Sequence, residues 1–258
     1  MMKRTTIAEI KERLSETTEL SEQEMQQLKS DTRIGVRSLL RKWEERKAHF
    51  QELVVKYHQM NRFEDELKSE GAQCIAGIDE AGRGPLAGPV VAACVVLKSN
   101  AIIPGINDSK QLSAGKRDYL YNRICESAAA FGVGIVSAHE IDQINIYQAA
   151  KKAMVLAVEK MEMVPDHLLI DAMELPLDMP QTSLIKGDAR SNSIAAASIL
   201  AKVTRDRLMC DLDRVYPGYD FAKHKGYGTQ AHLRAIERLG TCPEHRMTFA
   251  PLKPLEDA

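Results

Sequence analysis

The chain carries two hydrophobic rhythms, and the change between them falls near residue 70. Ahead of it, apolar residues recur at helical spacing. Thr6 with Glu9, and Ser21 with Glu24, have the capping-box spacing, in which each partner satisfies the other's backbone amide. Each pair opens a short amphipathic helix, with Ile7, Ile10 and Leu14 on the first and Met25 and Leu28 on the second. Val36, Leu40, Trp43, Lys47, Phe50, Val54 and Tyr57 then follow in a 4-3-4-3 spacing. That spacing predicts one stripe along a longer helix, broken only by Lys47. Residues 1–70 are therefore read as a small all-helical extension.

A charged, glycine-containing link over residues 64–71 leads into the second rhythm, and residues 72–258 read as α/β. Short apolar runs at 75–78, 89–97 and 131–136 predict strands, the first two close enough to form an antiparallel pair. Helical patterns follow at 113–129 and 147–161. The next apolar run, 168–170, comes after a helix, so a parallel crossover is expected. A short strand at 183–185 gives way to a long helix over 191–216, with Ile194, Ile199, Val203 and Leu208 among its apolar positions. No internal repeat or low-complexity tract interrupts the pattern.

Composition narrows the class. The 258 residues are 44% hydrophobic and 28% charged, which fits a packed globular core. The formal net charge is −1, so nucleic-acid binding needs a local basic surface and specific chemistry, not bulk charge. Six basic and two acidic residues fall between Arg33 and Lys47, which suits either a solvated helix face or a nucleic-acid docking helix. No stretch approaches the ~20 apolar residues of a membrane span, and no apolar segment follows the charged start as in a secretory signal. Cys74, Cys94, Cys125, Cys210 and Cys242 are odd in number, widely spaced and without a Cys-x-x-Cys pair. Free thiols, a reducing cytoplasm and no thiolate zinc site are the expectation.

The acids carry the chemical signal. Asp79 and Glu80 follow one apolar run, Asp171 follows another, and Asp188 lies where the short strand gives way to the long helix. If the first two runs are parallel neighbours, Asp79 and Asp171 stand side by side at about the ~4.8 Å strand spacing. An Asp after a strand is also a common turn former, and Asp188 alone suits a helix cap. Four together predict raised carboxyl pKa values or a bound cation. An all-oxygen ligand set selects Mg²⁺ or Mn²⁺. Two such ions roughly 3.5–4 Å apart serve in-line displacement at phosphorus. The loop from Asp79 to Pro89 is dense in glycine, but its third glycine comes one residue late for a dinucleotide fingerprint and a strand pattern follows it. Its amides and Arg83 suit a sugar-phosphate backbone better. A binding protein without catalysis, on the same fold, is the rival reading.

Four motifs then stand in order: Gly77–Ile78–Asp79–Glu80–Ala81–Gly82–Arg83–Gly84–Pro85; Asp108–Ser109–Lys110; Gly187–Asp188 with Ser191 and the run from Ile194 to Asp206; and His224–Lys225–Gly226–Tyr227–Gly228–Thr229. Over residues 72–250 the chain resembles bacterial ribonuclease HII. The resemblance implies a ribonuclease H-like mixed sheet flanked by helices, and a catalytic, metal-holding set of Asp79, Glu80, Asp171 and Asp188. It implies that Gly82, Arg83 and Gly84 meet the ribose 2′-hydroxyl, which separates RNA from DNA. Tyr227 would pack on the sugar beside the scissile bond, and Lys110 would bind phosphate. The implied substrates are RNA–DNA hybrids and DNA duplexes containing ribonucleotides, cut on the 5′ side to leave 3′-hydroxyl and 5′-phosphate ends; a monomer is expected. Arg83 and the helical extension favour ribonuclease HII over ribonuclease HIII. His224, His232 and His245 are irregularly spaced and expected to be surface or structural residues.

Overall fold

The computed structural model describes residues 5–252; the outermost residues of both expected segments lie outside that range. Contacts divide the chain into two compact units, one ending at Lys56 and one beginning at Tyr57.

The first unit contains α1 (Ile7–Glu16), α2 (Glu22–Ser30) and most of α3 (Ile34–Met60). Both capping boxes form: Glu9 N donates to Thr6 Oγ1 and Thr6 N to Glu9 Oε2, with the same exchange between Ser21 and Glu24. Ile10, Leu14, Val36, Leu40 and Trp43 make its core. The 4-3-4-3 stripe is not buried along its whole length: Val36, Leu40 and Trp43 are buried with α1, Phe50 is 50% exposed, and Tyr57, at the start of the second unit, is buried again. Lys47, the polar break, lies with Nζ 5.2 Å from the Trp43 ring centroid. Much of the local basic charge is held internally, with Arg33 on Asp31, Arg41 near Glu45 and Arg46 on the Leu14 carbonyl.

The segment read as a charged link, 64–71, is largely helix: α4 spans Arg62–Ser69. The reason is Glu64, which is only 5% exposed. Its carboxylate accepts from Ser191 Oγ (2.6 Å), Ser193 N (3.0 Å) and Ser193 Oγ (2.6 Å), so an apparent linker charge caps another helix.

The strands of the second unit form one five-stranded sheet among the described residues. In chain order they are β1 (Ile75–Ala81), β2 (Val90–Leu97), β3 (Ala128–Val136), β4 (His167–Asp171) and β5 (Gln181–Leu184), and their spatial order is β3-β2-β1-β4-β5. β1–β2 and β2–β3 are antiparallel, while β1–β4 and β4–β5 are parallel. β2 follows the glycine loop directly, which removes the helix that a dinucleotide site needs. The intervening helices are α5 (Ala114–Ser127), α6 (Ala138–Ile144) and α7 (Ile146–Glu159), of which the short α6 was not expected. α8 (Asn192–Val215) covers one face of the sheet and α7 the other. The short α9 (Phe221–His224) and α10 (Gln230–Leu239) follow.

Strand periodicity sorts the core. Ala76, Ile78, Leu168 and Ile170 pack with α7, while Ile75, Leu169 and Ile194 meet on the α8 side. Asp79 and Asp171 inherit the α8 side by the same alternation, and Glu80 falls on the opposite parity. Close approach of α8 depends on Gly77, where a Cβ would lie 2.0 Å from the Ser193 carbonyl carbon.

Gly77→Ala is expected to destabilise by about 3 kcal/mol or more, lowering Tm by roughly 6–12 °C. Gly115→Ala, where a Cβ meets nothing within 4 Å, should leave Tm unchanged or raise it; thermal melts of the two compare them directly.

Candidate metal centre

The site begins with the parallel pairing of β1 and β4. Their register sets Ile78 beside Ile170, so the next residues, Asp79 and Asp171, are lateral neighbours. Asp188 arrives from a 3₁₀ turn, Gly187–Ala189, that follows β5. Gly187 N donates to Asp171 Oδ1 at 2.6 Å, which ties that turn to the sheet. Gly187 suits this position because a Cβ would lie 2.6 Å from Ile194 Cδ1 and 3.3 Å from Asp171 Oδ1. The cap of α8 is Ser191, whose hydroxyl accepts from Ile194 N. Asp188 is therefore not serving as that helix cap.

One carboxylate oxygen from each of Asp79, Asp171 and Asp188 lies within 4.8 Å of the others. Glu80 sits beside this triad, outside it. Its Oε1 accepts from Arg83 Nη1 at 3.2 Å, while its Oε2 is buried with no hydrogen-bond partner. An orphaned buried carboxylate oxygen is costly, and a hard cation would satisfy it. Burial pushes the Asp79 carboxyl well above its ordinary range, reinforced by the charges of Glu80 and Asp171. Glu80 is also raised by burial, against the opposing pull of Arg83. Asp188 is pushed up to about 6, first by burial and then by Asp108 and Asp171. Lys110 loses some hydration by burial, but Asp79, Asp108, Asp188 and Asp171 outweigh that and hold its pKa above the ordinary lysine value. Electrostatics and donor set both fit an oxygen-ligated divalent ion.

Two further loops adjoin the acids. Asp108 Oδ1 accepts from Lys110 N, and Ser109 Oγ accepts from Ser198 Oγ at 2.9 Å. Ser198 on α8 lies near enough to Asp79 to lower its carboxyl pKa, against the larger upward push of burial. The glycine loop passes Tyr227, whose Cε1 would lie 3.7 Å from a Cβ on Gly84. Leu86 N donates to Gly226 O at 2.8 Å and fastens the two loops together. Tyr227 is 47% exposed and so is open to a ligand. Gly82 adopts φ +99° and lies against Arg205. Gly82, Arg83 and Gly84 thus lie on a loop fastened to the one that carries Tyr227, with Arg83 reaching Glu80, while Lys110 on a third loop feels the charge of the acids. Sequence reading passed over Asp108, Ser109 and Ser198 although they stood inside the quoted motifs. The three histidines gather around Phe221, where His232 and His245 are buried and joined Nε2 to Nε2 at 3.1 Å.

Comparison with known proteins agrees over nearly the whole chain. The family model described as Ribonuclease HII matches residues 76–252, and that described as Ribonuclease HII N-terminal domain matches residues 6–68. A ribonuclease HII of Bacillus cytotoxicus is 53% identical over 250 residues, covering 97% of this chain and 96% of the relative. A ribonuclease HII of Enterococcus faecalis is 50% identical over 254 residues, covering 98% and 100%. Among solved structures, the ribonuclease H2 of Pyrococcus horikoshii OT3 superposes with a TM-score of 0.60 at 26% identity, covering 70% of this chain and 96% of the other. Bst-RNase HIII in complex with Mn²⁺ shares the fold, with a TM-score of 0.54 at 21% identity over 77% of this chain and 70% of the other.

The raised carboxyl pKa values fix a sign. A carboxyl that is harder to ionise when folded stabilises the fold below its ordinary range near pH 4, and loses that contribution as pH climbs through its folded value. For Asp188 the loss falls between pH 4 and about 6. Asp188→Asn should therefore raise the metal-free Tm relative to the parent, by an amount that grows from pH 4 to just above pH 6 and then levels off. Saturating Mn²⁺ should stabilise the parent at pH 8 and the variant much less. Calorimetry across that range, with and without the ion, measures both differences.

Proposed function

The chain belongs to the ribonuclease HII family, and from that premise we propose that it cuts the RNA strand of RNA–DNA hybrids and the 5′ side of ribonucleotides embedded in duplex DNA, leaving 3′-hydroxyl and 5′-phosphate ends. The chain is a ribonuclease by family and a hydrolase by chemistry. The observation that carries the finer reading is the convergence within 4.8 Å of Asp79 and Asp171, at the ends of neighbouring strands, with Asp188 from the turn after β5, beside a loop of exposed glycine backbone.

Asp79, Asp171 and Asp188, joined by Glu80 through its free Oε2, would hold the divalent cations, Mg²⁺ or Mn²⁺, most simply two. When bound, such ions supply Lewis acidity at a phosphoryl oxygen and lower the pKa of a nearby water. The remaining work falls to the protein. Gly82, Arg83 and Gly84 meet the ribose, where backbone can approach a 2′-hydroxyl without a side chain intervening. Arg83 is held toward the acids by Glu80 and sits on the surface, where a guanidinium suits phosphate. Tyr227, lying against Gly84, supports the sugar next to the scissile bond. Lys110, exposed and surrounded by carboxylates, balances their charge and steadies the phosphate. No Ser, Cys or His nucleophile is needed.

We further read residues 1–70 as a helical appendage and 72–258 as the catalytic domain. We take the protein to be a monomer of the cytoplasm, a location supported by five free cysteines. No helix among the described residues is long and apolar enough to cross a membrane.

Two substitutions test this reading on a duplex with one embedded ribonucleotide. Asp171→Asn is expected to lower kcat by about 10³-fold or more while sparing duplex binding, as for an interaction that acts on the reacting phosphate; near-normal turnover removes Asp171 from the mechanism. Arg83→Ala should reduce discrimination between ribo- and deoxyribonucleotide sites more than it weakens Mn²⁺ binding, and intact discrimination would count against its role.

A further inference from the structure

The two bulkiest fully buried side chains are arginines, and both serve the glycine loop. Arg246 is 0% exposed and Arg205 is 1% exposed. All five N–H donors of the Arg246 guanidinium end on backbone carbonyls of that loop. Nε donates to Gly88 O (3.0 Å), Nη1 to Arg83 O (3.0 Å) and Pro85 O (2.8 Å), and Nη2 to Gly82 O (2.7 Å) and Gly88 O (2.7 Å). Arg205 adds Nε to Pro89 O (2.9 Å), Nη1 to Lys225 O (3.0 Å) and Nη2 to Ala87 O (3.1 Å). Among the described residues neither makes a salt bridge. Desolvation pushes the Arg246 guanidinium down to about 9 and Arg205 to about 10. A buried cation without a counter-ion is expensive, so a simple packing role explains this arrangement poorly.

The consequence for the loop follows from peptide geometry. In a planar trans peptide the C=O of one residue points opposite to the N–H of the next. Drawing the carbonyls of Gly82 and Arg83 inward onto Arg246 therefore turns the N–H groups of Arg83 and Gly84 outward. Neither amide finds an acceptor among the described residues. Two amides further along are occupied, Leu86 N by Gly226 O and Gly88 N by Glu244 O. Arg83 and Gly84 are exposed, so their two donors face solvent where a ligand can reach them.

We propose that Arg246, assisted by Arg205, is a positioning residue for ribose selection, holding the Arg83 and Gly84 amides outward as donors to the 2′-hydroxyl without itself touching substrate. This rests on the ribonuclease reading above and names what sets its sugar specificity. Lysine at this position would keep the charge but has three donors on one centre, and cannot span carbonyls that a planar fork reaches.

The test compares full-length Arg246→Lys with the parent on a duplex containing one ribonucleotide and on the same duplex with deoxyribose there, alongside Mn²⁺ affinity and Tm. The expected result is KM raised by about tenfold with kcat changed by less than about threefold, weaker ribose discrimination, and unaltered Mn²⁺ affinity. A folded variant with parental KM and parental discrimination overturns the proposal. If Arg246→Lys does not fold, Asp142→Ala decides. The Asp142 carboxylate accepts from Met247 N (2.7 Å), Thr248 N (3.0 Å) and Thr248 Oγ1 (2.6 Å), so it steadies the turn after Arg246 from outside the clamp. That variant should show a smaller rise in KM, of about threefold, at unchanged kcat, and parental KM overturns the proposal. The parent in the same assay separates the two claims: a parent that discriminates beside a variant that discriminates equally well sinks the clamp alone, whereas a parent that does not cut sinks both.

Discussion

Three carboxylates forced into one another's company set the terms for the rest of the second unit. Asp79, Asp171 and Asp188 repel, and burial adds to that cost by stripping their hydration. The sheet imposes their proximity: two parallel strands in fixed register cannot separate their terminal residues, and the Gly187 amide on Asp171 draws the third acid in. Stability lost at this point is offset by the apolar layers on either face of the sheet, where β1, β2 and β4 are buried on both sides. The strain is local, and it is the kind a divalent cation relieves.

Around that centre the protein supplies fixed dipoles and very little flexible charge. Lys110 is the cation that most directly feels the acids, and Arg83 is restrained by Glu80. The glycine loop is shaped by cations that never reach the surface. Two buried guanidiniums facing backbone carbonyls and three largely buried acids in a cleft are complementary devices. On the proposed reading one orients donors toward a sugar, and the other gathers oxygens toward metal.

Strand alternation made the essential pair legible from sequence. An apolar run buried on both faces ends in an acid twice, and parallel pairing makes those ends neighbours, so Asp79 and Asp171 could be set together before any coordinates. Asp188 was visible as an acid at a strand-to-helix junction, though Ser191 turned out to cap the helix. Glu80 shows the limit of counting acids: adjacent to Asp79 in sequence, it has the opposite strand parity and turns to Arg83. Glu64 read as linker charge because nothing local distinguishes a solvated glutamate from one that caps a helix about 127 residues later. Arg246 left no trace for a similar reason. It has no periodic context, and its partners lie 158 to 164 residues away.

The claim beneath all of this is that the Asp79–Asp171–Asp188 cleft is a divalent-cation site. Anomalous diffraction from crystals of the full chain soaked in Mn²⁺ reads it without relying on activity. A manganese peak among the three carboxylates, lost in Asp171→Asn crystals, is the result expected here. Saturating Mn²⁺ that leaves this cleft without a peak, or binds only elsewhere on the surface, would contradict the account at its root.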